Sequence, residues 1–133
     1  MTATVTLGGT TFGYDGDPAD IAYRLLYDVT PPKPSGPRCD FCGFALGAGY
    51  SDFYAEPFAR LHHDPVLPPA GLLVAYDERW AACRCCAPHV RRRAWPRLAD
   101  LVCRRRRDAG RPVPSRHRAE IVALWLQLEA RMP

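Results

Sequence analysis

Two short cysteine clusters constrain this chain more than any other feature. The first is Cys39-Asp40-Phe41-Cys42. The second is Cys83-Arg84-Cys85-Cys86, in which Cys83 and Cys86 form another Cys-x-x-Cys pair. Forty residues lie between Cys42 and Cys83. Each pair puts two thiols on one tight loop, and two such loops can surround a tetrahedral ion, with zinc the first candidate for thiolate ligands. A redox site needs only one pair, so two pairs argue for a ligand set. The simplest set is Cys39, Cys42, Cys83 and Cys86. Cys85 could replace a member of the second pair, and His89, three residues after Cys86, could supply a nitrogen. Cys103 sits in a separate apolar pattern and reads as a small core residue.

Disulfides are the competing use of six cysteines, and they belong mainly to exported domains. The opening MTATVTLGGT has neither the basic start nor the apolar run of a signal peptide. No stretch approaches the roughly 18 apolar residues of a membrane span. The expectation is a cytoplasmic protein with reduced thiols and no membrane partner. Fourteen prolines and ten glycines among 133 residues imply much irregular loop, and a core of this size gains from a metal staple.

Residues 1–36 read as an N-terminal unit of hairpin, helix and proline-rich linker, and residues 37–133 as a metal-binding core with a basic helical end. Val5–Leu7 and Thr10–Phe12 flank Gly8-Gly9, a two-residue hairpin loop. Asp17 as N-cap, Pro18 at the first helical position and the stripe Ile21, Ala22, Leu25 and Leu26 predict a helix over 18–28. The proline-rich stretch 30–37 stops it. Beyond the first cysteine pair, Gly43 suits a left-handed turn. Residues 44–58 hold strand-like fragments, Leu72–Tyr76 is the clearest strand, and Trp80 is placed to cover the metal site. Ala87-Pro88 can open a helix. A second helix is expected from Pro96 to about Arg106. A third, over about 116–131 with Ser115 as N-cap, carries Ile121, Leu124, Trp125, Leu128 and Met132 on one face.

This order of knuckle, strands and a cysteine pair at a helix start resembles the treble-clef arrangement over about residues 37–93. In it, Cys39 and Cys42 correspond to the knuckle and Cys83 and Cys86 to the helix-start pair. The stretches Cys39-Asp40-Phe41-Cys42 and Trp80-Ala81-Ala82-Cys83-Arg84-Cys85-Cys86 are also similar to the CDFC and W-x-x-C-x-x-C segments of small, uncharacterised actinobacterial zinc-binding proteins. The resemblance implies a small α+β fold stapled by zinc. It supplies no enzymatic residue and no partner.

Charge is divided along the chain. Residues 1–82 carry five Lys/Arg against ten Asp/Glu; residues 83–133 carry thirteen against four. Seventeen of the eighteen basic residues are arginine, whose planar fork matches phosphate and carboxylate. Arg84, Arg91, Arg92, Arg93, Arg97 and the run Arg104, Arg105, Arg106 and Arg107 therefore form a candidate surface for nucleic acid or an acidic protein. A solvated helix face is the plainer alternative. His62-His63-Asp64 is the first place to look for catalysis, but no spacing there assembles a nucleophile, a base and an electrostatic stabiliser. Four cysteines would also close the coordination position that a catalytic zinc leaves open. The expectation is a non-enzymatic, zinc-finger-type binding or adaptor module with an arginine-rich face for nucleic acid such as DNA, and protein binding alone is the alternative.

Overall fold

The computed structural model describes residues 2–7, 10–15, 37–62 and 72–133. The predicted helix over 18–28, the proline-rich linker, the Gly8-Gly9 turn and His63-Asp64 lie outside the described residues. What is described is a small α+β protein with two antiparallel sheets and three helices.

The larger sheet contains β1 (Thr2–Leu7), β2 (Thr10–Asp15), β4 (Phe58–His62) and β5 (Leu72–Tyr76) in the order β2-β1-β5-β4. The N-terminal hairpin is present, with Leu7 opposite Thr10. It is hydrogen-bonded along β5, Val5 facing Val74, so the sheet crosses the boundary read at residue 36. The smaller sheet pairs β3 (Ser51–Tyr54) with β6 (Arg79–Ala82).

The strand-like reading of 44–50 is corrected. That stretch forms only a single bridge, Ala45 with Arg38, and then turns. Gly47 and Gly49 there adopt positive φ, which a continuing strand does not accommodate. β6 was not anticipated as a strand. At four residues it is too short to display an alternation, and its burial is continuous over Trp80, Ala81 and Ala82.

Three helices follow: α1 (Ala87–Arg91), α2 (Trp95–Asp108) and α3 (Ser115–Glu129). Pro88 lies in the first turn of α1, where its missing N–H costs nothing. α1 ends in a Schellman motif: Ala94 N donates to His89 O and Arg93 N to Val90 O. Arg93 takes the left-handed position at φ 55°, where glycine is usual. α2 ends in the same way, with Gly110 at φ 75°. Ser115 is not the cap of α3. Pro114 holds that position with φ −60° and ψ 149°, and Ser115 is already helical.

The core joins the sheets to α2 and α3. Trp80, Trp95, Trp125 and Phe41 are fully buried, and Val74, Tyr76, Phe58, Leu98, Val102, Ile121, Leu124 and Leu128 complete it. Trp125 of α3 lies 6.0 Å from both Trp95 of α2 and Phe41 of the first cysteine loop, centroid to centroid. Trp80 is surrounded by Phe41, Phe58 and Tyr76 at 5.4–6.2 Å, and so is part of this aromatic core. Polar contacts fix α3 further. Trp95 Nε1 donates to Glu129 Oε2 at 2.9 Å. Arg60 of β4 donates to Gln127 Oε1 and Glu120 Oε2. The last helix therefore packs across the core, as its apolar periodicity predicts, and of its large apolar residues only Leu126 is exposed.

Candidate metal centre

The first loop turns because its backbone closes on itself. Cys39 N donates to Phe44 O at 2.8 Å and Gly43 N to Cys39 O at 3.0 Å. Gly43 has φ 77°, the left-handed turn its position predicts. The second loop runs straight into α1: Cys86 N and Ala87 N both donate to Cys83 O, at 3.1 and 2.9 Å. One latch joins the two. Asp40 N donates to Ala81 O at 2.8 Å, and Ala81 N donates to Asp40 Oδ2 at 2.6 Å. Asp40 is almost wholly buried, and burial pushes its carboxyl up to about 6, partly opposed by the Ala81 N–H. Asp40 went unremarked in the sequence. No local signal marks it, because its partner Ala81 lies 41 residues away.

The two loops bring together Cys39, Cys42, Cys83 and Cys86, whose sulfurs all lie within 4.8 Å of one another. All four are buried and free of disulfides. The Cys42–Cys83 sulfur separation is 3.9 Å. A tetrahedral ion with sulfur ligands at about 2.3 Å puts each pair of sulfurs about 3.8 Å apart. The Cys42–Cys83 edge matches, and the four sulfurs together could hold one metal ion. Hydrogen bonding with Cys42 and with Cys39 holds the Cys39 and Cys83 thiols, respectively, below the ordinary range. The hydrogen bonds with Cys39 push Cys42 and Cys86 above it. Four such groups cannot all ionise side by side without a cation, and a divalent ion removes that conflict.

Backbone and side chains support the sulfurs. Phe41 N and Cys83 N point at Cys39 Sγ, at 3.5 and 3.3 Å. Arg105 Nη1 lies 3.5 Å from Cys42 Sγ and 3.8 Å from Cys83 Sγ, and its guanidinium sits 4.7 Å above the Phe44 ring. Arg106 donates through Nε and Nη2 to Cys42 O, at 3.4 and 3.3 Å. The alternative ligands are outside the cluster: Cys85 is exposed and His89 half-buried on α1. Cys103 is half-buried on α2.

The candidate arginine surface is thus divided. Arg84, Arg91, Arg92, Arg97, Arg104 and Arg107 are exposed. The stem of Arg84 lies against Gly49, where a Cβ would come within 3.1 Å of it. Arg91 donates to Ser51 Oγ at 2.6 Å, and Arg107 sits 3.7 Å from Asp108. Arg93 is half-buried, its Nη1 on Val90 O. Arg106 is a correction: only 5% exposed, it belongs to the interior. It continues the inward stripe Leu98, Val102, Arg106 at four-residue spacing, so helix geometry turns it toward the knuckle. Arg105 is half-buried beside it and faces the sulfurs.

Among the described residues no helix is long and apolar enough to cross a membrane. No protein-family model matches the chain, and searches of curated proteins and of solved structures return no match. The geometry alone supports the assignment: a four-cysteine cluster that could hold a metal ion, set in a small α+β fold.

Proposed function

We propose that this protein is a non-enzymatic, zinc-stabilised binding module with a treble-clef-like core, whose exposed arginines engage a polyanion, nucleic acid in the first place. The observation that carries the reading is the four-sulfur cluster. Soft thiolates at tetrahedral spacing suit zinc, and four of them leave it no open position for a substrate or a water nucleophile. The ion then acts by joining Cys39 and Cys42 to Cys83 and Cys86, which holds the first loop against the start of α1.

The polyanion half of the proposal rests on the exposed arginines of the second cysteine loop, of α1 and its end, and along α2. Arg97 and Arg104 stand two turns apart on α2, about 10 Å along its axis, and Arg107 follows one turn later. Their contacts would fall on phosphates and give binding with little sequence choice. The test is fluorescence anisotropy with labelled single-stranded and duplex oligonucleotides over a salt series. Binding should weaken as salt rises. The double reversal R104E/R107E should lower the slope of log affinity against log salt by about 2, close to one per lost phosphate contact. Absence of binding at low salt, or equal binding by the variant, rejects the nucleic-acid reading.

A second reading, a protein partner without nucleic acid, is favoured by Leu61 and Leu73. They stand opposite each other on β4 and β5 and are 42% and 46% exposed. Under that reading, L61S/L73S abolishes capture of the partner while R104E/R107E does not.

A further inference from the structure

We propose that Arg105 is the built-in counter-cation of the metal centre and sets how tightly the centre keeps its metal. This rests on the four-cysteine reading of the site and is independent of any polyanion binding.

A divalent ion held by four thiolates leaves a net negative charge, and here that charge is buried: the four cysteines are at most 6% exposed. A buried anion without a compensating charge is strongly unfavourable. Cys39 has two amide N–H groups directed at its sulfur, from Phe41 and Cys83. Cys42 and Cys83 are served differently. The Arg105 guanidinium straddles the 3.9 Å edge between their sulfurs, at 3.5 and 3.8 Å. The Phe44 ring lies 4.7 Å from the guanidinium and adds a cation–π attraction. Arg106 holds the Cys42 carbonyl, which fixes the loop that presents the sulfur.

Four thiolates outweigh one divalent ion by two charges, and the Arg105 guanidinium lies against two of the sulfurs. A permanent positive charge at this distance offsets the excess negative charge of the loaded centre, and its removal should weaken metal retention. Arg104 is exposed on the same turn of helix and gives a matched control of equal formal charge.

The experiment is competition for zinc between the loaded protein and a colorimetric chelator, with R105Q, R105K and R104Q compared to the parent chain. Circular dichroism is recorded on each before chelator is added. R105Q should bind zinc about 10- to 100-fold more weakly, the range seen when groups supporting metal ligands are removed. R105K keeps a cation on a similar stem and should stay within a few-fold of the parent. R104Q should be unchanged. Unaltered zinc affinity in R105Q overturns the proposal, as does an equal loss in R104Q. A loss in R105K as large as in R105Q also overturns it, because packing rather than charge would then be responsible. If R105Q fails to fold with zinc, R105K decides: it folds and retains zinc if a cation is what the site requires, and fails alike if not. Oligonucleotide binding by R105Q, measured separately, keeps this result distinct from the fate of the polyanion reading.

Discussion

The latch between Asp40 and Ala81 gives the sharpest test of how the metal centre is assembled. Asp40 to Ala is the perturbation. It removes the acceptor at 2.6 Å from Ala81 N and leaves that N–H inside the protein, since Ala81 is 6% exposed. An orphaned buried donor costs about 1–3 kcal/mol, a large share of a domain stability of about 5–15 kcal/mol. Asp40 to Asn keeps an oxygen that can accept the same bond and removes a carboxylate whose burial already opposes its ionisation. D40A should therefore lose about 2 kcal/mol, within that range, and D40N should lie within about 1 kcal/mol of the parent, the typical net worth of one hydrogen bond. Urea unfolding of the zinc-loaded proteins at neutral pH measures both. The slope should be unchanged, so that the midpoint carries the difference. Asp40 lies between two proposed ligands and Ala81 two residues before a third, so D40A should also weaken zinc retention. A D40A protein within 0.5 kcal/mol of the parent, the usual bound for a neutral surface change, refutes the latch. Equal damage from D40A and D40N shows that the acceptor is not what matters.

Three further outcomes follow from the geometry. Elemental analysis should find zinc lost from C39S and C86S but kept in C85S, H89A and C103S, since only the first two remove sulfurs of the cluster. Protons compete with the metal for thiolate, so zinc retained after dialysis should fall as pH is lowered and recover on neutralisation with zinc present. At the left-handed C-terminus of α1, R93G should fold at least about as stably as the parent, whereas R93V should be destabilised by about 1 kcal/mol or more in thermal melts, because a β-branched side chain fits that backbone poorly.

The cysteine cluster was legible because its signal is local and chemical. Two Cys-x-x-Cys pairs carry their own spacing, and the structure brings together the four sulfurs that the simplest ligand set names. β5, α2 and α3 were legible from their apolar patterns, and α1 from Pro88 in its first turn. Other parts were not. Four successive arginines look alike in sequence, and only the rotation of α2 decides that Arg106 turns inward while Arg104 and Arg107 face water. Leu98 and Val102 announce the inward stripe, but extending it to a charged residue requires knowing that a carbonyl waits there. Asp40 needed the same kind of knowledge, because its partner Ala81 lies 41 residues away. Glu129 is a similar case: its bond to Trp95 joins residues 34 apart.

The aromatic contact between Trp125 and Phe41 has a consequence for the order in which the molecule can be completed. Phe41 belongs to the first cysteine loop, whereas Trp125 is among the last residues of the chain described. During synthesis the leading thiol pair leaves the ribosome well before its counterpart, and later still before the tryptophan that shields its loop. For that interval the nascent protein displays unprotected sulfur and an uncovered ring, the kind of surface that attracts chaperones and oxidants alike.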